Sequence, residues 1–332
     1  MTSQGAVTAA DPGAAVTRRA DARRVTGRSA RGTGRPGRDR TRQRLEILFF
    51  VAPALTLMAL FVVYPVFSAA RMSFYRWKGF GPMVDFVGLQ NYVRVLADDV
   101  FTDAVVHNFV IVFASILVQL PLGLALALLL NRRIRGRGLL RTIIFVPYVL
   151  AEVIAGVVWF QLLQPRSGLL ETMLTSVGFP VPEQGFLGTP DLALATVFVV
   201  LTWKYLGLAV LLFLAGLQGV PDELHEAAQL DGASWWQVQR RIAVPLLAPT
   251  IRTWCFLSMI GSLQLFDMVW ILTGGGPANA TTTMATYLVS QGTQRSNFGI
   301  AGAASVVLFL IGFAMAVAYQ FLVLRRDTKA DA

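Results

Sequence analysis

Six long apolar runs decide most of what this chain can become: about 45–70, 105–130, 139–164, 192–217, 246–273 and 299–324. Each exceeds the roughly 20 residues that carry a helix across a bilayer. In lipid the backbone must satisfy its own polar groups, which favours helices. A helix on a soluble core shows one apolar stripe, whereas these runs are apolar nearly all round. Their extra length implies tilt or helix continuing past the lipid. Composition agrees, with 55% hydrophobic and 14% charged residues against roughly 45–50% and about 25% in soluble domains. The expected fold class is an all-α polytopic membrane protein with six transmembrane helices.

The net charge of +10 is unevenly placed, and eleven of the 29 Lys and Arg residues precede residue 45. Residues 1–44 have no apolar period and are expected to form a disordered basic tail. An organellar transit peptide or a nucleic-acid arm has similar composition; a cytoplasmic tail near anionic lipid is the simpler reading. With the N-terminus inside, the cytoplasmic side collects 21 basic residues and the outside 6, while Lys204 and Arg252 fall within spans. The positive-inside rule then puts both termini in the cytoplasm. A membrane domain over 45–326 is left, with a short C-terminal tail at 327–332. The same count puts the polar loop 218–245 in the cytoplasm, between the fourth and fifth spans.

That loop contains "VPDELHEAAQLDGASWWQVQRRIAVP", Val220 to Pro245. Pro221 suits a first helical position, and Asp222 and Glu223 suit the positive end of the helix dipole. Gly232 is a natural C-terminal stop. Ser234 with Gln237 three residues on forms a capping-box pattern opening a second helix. Helix, Gly corner, helix is therefore expected. Ala227 and Ala228 would let another surface approach the backbone closely, flanked by Glu226 and Asp231. The residues alone leave two readings open: a docking surface, or an amphipathic loop lying on the protein's own inner face. A DNA-reading helix-turn-helix is disfavoured because the bilayer tethers both ends.

Glu226-Ala227-Ala228, Gly232, and Ile242-Ala243-Val244-Pro245 together resemble the EAA signature of permease subunits of ABC importers. Val244 stands where Leu is usual. "FVGLQNY" (Phe86 to Tyr92), "FDMVWILTGGGPANATTTMATYLV" (Phe266 to Val289) and "NFGIAGAASVVLFL" (Asn297 to Leu310) resemble segments of the sugar permeases within that family. The resemblance spans roughly 45–326. It implies a type I ABC importer permease fold. It also implies a heterodimer with a second homologous permease, a cytoplasmic ABC ATPase dimer that holds ATP and Mg, and an extracytoplasmic sugar-binding lipoprotein. Carried over by residue, it makes Glu226, Ala227, Ala228, Asp231, Gly232, Ala233 and Pro245 the ATPase-coupling site. The implied cargo is a sugar, a di- or oligosaccharide. No cofactor is expected on this chain, and membrane lipid rather than nucleic acid is its expected surroundings.

Sugar recognition needs hydrogen-bonding groups and flat apolar faces, and polar groups within spans usually face the bundle interior. Ser258, Ser262, Gln264 and Asp267 in the fifth span, with Trp203 and Tyr205 in the fourth, are the substrate-pathway candidates. Ser258 and Ser262 are i, i+4 and share a face. Ordinary helix packing or interfacial anchoring would explain each of these equally. Glu152 and Lys204 lie at equal depth in consecutive spans, about 20 Å from the cytoplasmic ends at about 1.5 Å per residue. An intramembrane ion pair is the first expectation for them, a pore-lining pair the second.

Catalytic chemistry finds little support. There is one cysteine, Cys255, and two distant histidines, His107 and His225; together they disfavour a zinc site. Neither H-E-x-x-H nor a phosphate-cradling G-x-x-x-x-G-K-[ST] occurs. A Ser nucleophile is compatible with composition alone. The alternatives to a sugar permease are an ABC permease for another solute, an intramembrane enzyme, and a membrane receptor or scaffold.

Overall fold

The computed structural model describes residues 36–132 and 134–323. The N-terminal tail expected over 1–44 lies outside the described residues as far as residue 35, and the C-terminal tail at 327–332 lies wholly outside them. The chain divides into two compact units, residues 1–57 and 58–332. α1 runs Pro36–Met58, all but its last residue in the first unit. Residues 36–44, expected to lack regular structure, are therefore helical. Pro36 suits a helix start, and the Arg, Gln, Leu and Glu that follow are good helix formers.

The second unit begins with a π-helical turn and α2 (Tyr64–Met72). It continues through α3 (Gln90–Leu96), α4 (Asp99–Ala114), α5 (Leu120–Asn131), α6 (Arg137–Val149), α7 (Glu152–Leu162), α8 (Leu169–Ser176) and α9 (Gly185–Gly188). The long α10 (Pro190–Leu217) precedes α11 (Asp222–Leu230), α12 (Trp235–Val238) and α13 (Val244–Leu246). Last come α14 (Ala248–Leu263), α15 (Asp267–Leu272), α16 (Met284–Val289) and α17 (Phe298–Leu322). Among the described residues there is no strand, only an isolated bridge between Tyr75 and Phe86.

Four of the six expected spans are single stretches: Glu46–Met72, Asp99–Asn131, Pro190–Leu217 and Phe298–Leu322. The other two are not. The run at 139–164 breaks between α6 and α7, which meet at 101°. Pro147 supplies no backbone donor in the last turn of α6, and Leu150 and Ala151 adopt extended ψ values of 143° and 142°. The run at 246–273 is also broken. α14 stops at Leu263, Phe266 leaves helical geometry at φ −130°, and a short α15 follows. At its N-terminal end α14 bends by 64° from the helical stretch Trp235–Leu246.

α10 is the central post of the second unit, with eleven buried residues. It packs on α5, α6 and α14. Close approach depends on Gly207: a Cβ there would lie 2.6 Å from the Ile144 carbonyl oxygen and 3.3 Å from Phe145 Cα. Small residues at helix contacts permit such proximity within a bilayer. Gly207→Val is therefore expected to push α6 off α10, at about 1–3 kcal/mol for overpacking. A lower thermal unfolding midpoint with unchanged helix content would report this; a parental midpoint would contradict it.

The segment between α15 and α17 folds back as a polar knot. Thr281, Thr282 and Thr283 are buried. The Thr281 and Thr282 hydroxyls donate to the carbonyls of Gly276 (2.7 Å) and Gly275 (3.0 Å). Thr283 Oγ1 donates to the Leu265 carbonyl at 2.7 Å. The Tyr287 hydroxyl donates to Asp98 Oδ2 at 2.6 Å. Burial, then that hydrogen bond, pushes the Tyr287 phenol upward. The loop after α2 docks beside it: Asn91 Nδ2 donates to the carbonyls of Ser73 (2.9 Å) and Tyr75 (3.0 Å).

Candidate functional site

A cavity of about 370 Å³ opens among α4, α6, α10, α14 and the π-helical turn Ser115–Gln119. Its polar lining comes from Ser115, Gln119, Tyr148, Tyr205, Ser258 and Ser262. Leu201, Trp254 and Leu265 are among its apolar walls. Ser258 and Ser262 share one face of α14, as their spacing predicts, and both reach the cavity. No Asp, Glu, Lys or Arg is in the lining. Apolar walls with a few placed polar groups are what small-molecule pockets usually show.

Three of the six pathway candidates stand elsewhere. Trp203 packs edge-on against Trp159, with ring centroids 5.4 Å apart, inside an apolar cluster. Gln264 is exposed at the end of α14, and Asp267 is exposed at the start of α15. The break after Leu263 separates them from the face that carries the two serines.

Glu152 and Lys204, expected as an ion pair, make no direct salt-bridge contact, although the carboxylate lies near enough to attract the ammonium. Lys204 Nζ donates to the carbonyls of Pro147 (3.1 Å), Tyr148 (3.0 Å) and Leu150. The break beyond α6 supplies these acceptors, because the last carbonyls of a helix have no intrahelical partner. Glu152 Oε1 instead accepts the Tyr205 hydroxyl at 2.5 Å.

The loop after α10 has the expected corner. Gly232 sits at φ +78°. The Gly232 N–H donates to the Gln229 carbonyl at 3.0 Å and the Ala233 N–H to the Ala228 carbonyl at 2.9 Å. This pair of bonds is the Schellman motif that closes helices at a left-handed glycine. The Ser234 and Gln237 capping box opens α12. Pro221 caps the first helix rather than entering it, since α11 starts at Asp222. α11 buries none of its residues; Leu230 is 90% exposed and Trp236 73%. So much uncovered apolar surface on a polar loop disfavours a loop folded onto its own inner face.

The family model for the binding-protein-dependent transport system inner membrane component matches residues 119–327. The chain belongs to this family. The permease is 35% identical over 269 residues to the trehalose/maltose transport system permease protein MalF of Thermococcus litoralis, covering 81% of this chain and 90% of that one. It is 34% identical over 311 residues to the diacetylchitobiose uptake system permease protein NgcF of Streptomyces coelicolor, covering 90% of this chain and 87% of that one. In fold it is similar to a chain from the crystal structure of a bacterial ABC transporter involved in import of the acidic polysaccharide alginate. There the TM-score is 0.76 at 24% identity, covering 88% of this chain and 99% of that one. It is thus a permease of the multi-pass inner-membrane class.

Sequence reasoning misses several residues that build the permease's cavity region. Asn108 is fully buried; its Nδ2 donates to the Ser262 carbonyl at 2.6 Å, and its Oδ1 accepts the Met284 N–H at 2.9 Å. Gln119 lines the cavity and donates from Nε2 to Thr202 Oγ1 at 3.2 Å. Polar residues within an apolar run are the available signal, since their burial is costly without a partner or a cavity.

Proposed function

We propose that this permease and a second, related permease form the pore of an ABC importer for a di- or oligosaccharide. The observation that carries the reading is the cavity. Its six polar side chains are hydroxyls and one amide, set in apolar walls that include Trp254. Sugar hydroxyls need such donors and acceptors, and sugar C–H faces need apolar surface. Two relatives named above, for trehalose/maltose transport and diacetylchitobiose uptake, take sugars of the same class.

In this proposal residues 45–326 are the membrane domain, and loop 218–245 faces the cytoplasm with both termini. Glu226, Ala227, Ala228, Asp231, Gly232, Ala233 and Pro245 form the handle for a separate ATPase dimer, which holds ATP and Mg. The exposed apolar surface of α11 and α12 supports that role. Movement of the handle rocks the spans between inward- and outward-facing states. An extracytoplasmic binding lipoprotein delivers the sugar.

The test is ATPase activity of the reconstituted importer, with its binding protein, across a panel of glycans. Stimulation by at least one oligosaccharide is expected. Stimulation by another solute and by no glycan would overturn the reading. Ser258→Leu, which fills part of the cavity, is expected to depress uptake well beyond Ser258→Ala.

A further inference from the structure

Lys204 is 2% exposed in the middle of α10. A charged side chain at that depth is expensive unless it is fully paired or faces water. An ammonium has three donors and no acceptor, and Lys204 has three carbonyl partners, at Pro147, Tyr148 and Leu150. All three lie at the C-terminal end of α6, where the helix dipole is negative and a cation is favoured. The ammonium therefore acts as the cap of a helix interrupted inside the membrane.

The next residue of α10 holds the other side of the interruption. The Tyr205 hydroxyl donates to Glu152, the first residue of α7, at 2.5 Å. Successive residues of a helix point about 100° apart at 3.6 residues per turn. One straight helix thus reaches both ends of the break with two consecutive side chains. Both attachments end at the cavity: Tyr205 and Tyr148 line it, and Lys204 Nζ lies 5.9 Å from the Tyr148 ring centroid.

We propose that Lys204 and Tyr205 form a clamp across the break in the third span, with Lys204 as the positioning residue that sets Tyr148 and the cavity wall. The effect on transport rests on the cavity being part of the sugar pathway; the clamp itself does not. The ammonium does not meet the solute. It replaces the backbone partners that the carbonyls of α6 lack, and so fixes how far the wall beside Tyr148 stands from α14.

Two measurements on the assembled importer separate the clamp from the solute reading. In a Cys255→Ser background, Ser258→Cys places a thiol on the opposite cavity wall. Its alkylation by a small neutral reagent reports the wall without reference to any solute. Lys204→Met is expected to speed alkylation at least threefold, and Lys204→Arg, which keeps cationic donors, to return it toward the parental rate. In uptake assays Lys204→Met is expected to raise KM about tenfold while changing Vmax less, with Arg restoring KM, because uniform binding is what is lost.

Should Lys204→Met fail to accumulate, Tyr205→Phe removes the other arm and keeps the ammonium; faster alkylation is again expected. Parental alkylation rates in the accumulating Lys204→Met variant, or in Tyr205→Phe where Met fails, would overturn the clamp. So would a Lys204→Arg variant that behaves like Met. Altered alkylation in an importer that no glycan serves would sustain the clamp and sink the sugar reading. Sugar uptake with unaltered alkylation would do the reverse.

Discussion

Gly232→Pro is expected to leave the spans inserted and to cut uptake by at least tenfold, a loss of about 1.4 kcal/mol or more in coupling. The reason is conformational. Gly232 holds φ at +78°, whereas proline is locked near −65° and has no N–H. The substitution removes the bond to Gln229 and misdirects the Ala233 N–H that closes on Ala228. Crowding is not involved, since a Cβ at this site would meet nothing within 4 Å. The corner between α11 and α12 opens, and the surface carrying Glu226, Ala227 and Ala228 loses its angle to the spans.

Gly232→Asn is the control, because Asn tolerates the left-handed region far better than other side chains. Near-parental uptake is expected from it. Glu226→Ala keeps the corner and removes one charge, so a smaller loss is expected. Uptake and glycan-stimulated ATP hydrolysis in proteoliposomes would check all three. A Gly232→Pro importer working at the parental rate would remove loop 218–245 from the coupling path.

Asn108→Leu should cause the larger loss of stability. Leucine matches asparagine closely in size, so little cavity is made, but both ends of the amide are lost. The Met284 N–H would be left buried without a partner, and the Ser262 carbonyl would keep only the long 3.4 Å bond from the Leu265 N–H. An unpartnered buried group costs about 1–3 kcal/mol. The unfolding midpoint in detergent should fall on the order of 10 °C. Asn108→Asp, which keeps the acceptor for Met284 and loses the donor to Ser262, should fall between. A parental midpoint in Asn108→Leu would show that α14 does not depend on this side chain for its end.

The two outcomes probe different levels of the protein. The corner at Gly232 is local, and its signals lie within a few residues: a glycine, a Ser and Gln three apart, acids at a helix start. That stretch is legible in the amino-acid sequence, down to the cap bonds. Only its start differs, by one residue at Pro221. Asn108 belongs to the other kind. Its partners are 154 and 176 residues away, and nothing near it in the chain announces them.

The same division explains the pathway candidates. Ser258 and Ser262 are legible because one helix carries both, and a period of 3.6 residues puts them on one face. Gln264 and Asp267 lie outside the cavity lining because the fifth run breaks after Leu263, and apolar runs do not mark a break inside themselves. Trp203 lies in an unbroken helix, and its side chain packs on Trp159 instead, a contact between distant segments. Pairing Glu152 with Lys204 assumes equal depth in unbroken helices. Once the third span bends by 101°, its freed carbonyls lie within reach of the ammonium and displace the carboxylate.

By itself, then, the sequence determined which runs are apolar and long enough to cross a bilayer, which end of each run is basic, and the shape of the loop after α10. Hydrophobicity, charge and caps act within one segment, so segment-length reading captures them. Only the tertiary structure decided where the third and fifth spans break, which side chains close those breaks, and which faces enclose the cavity. In lipid, an interrupted backbone must find its partners on another helix. Which helix supplies them is set by packing between distant segments, such as the approach of α6 to α10 at Gly207.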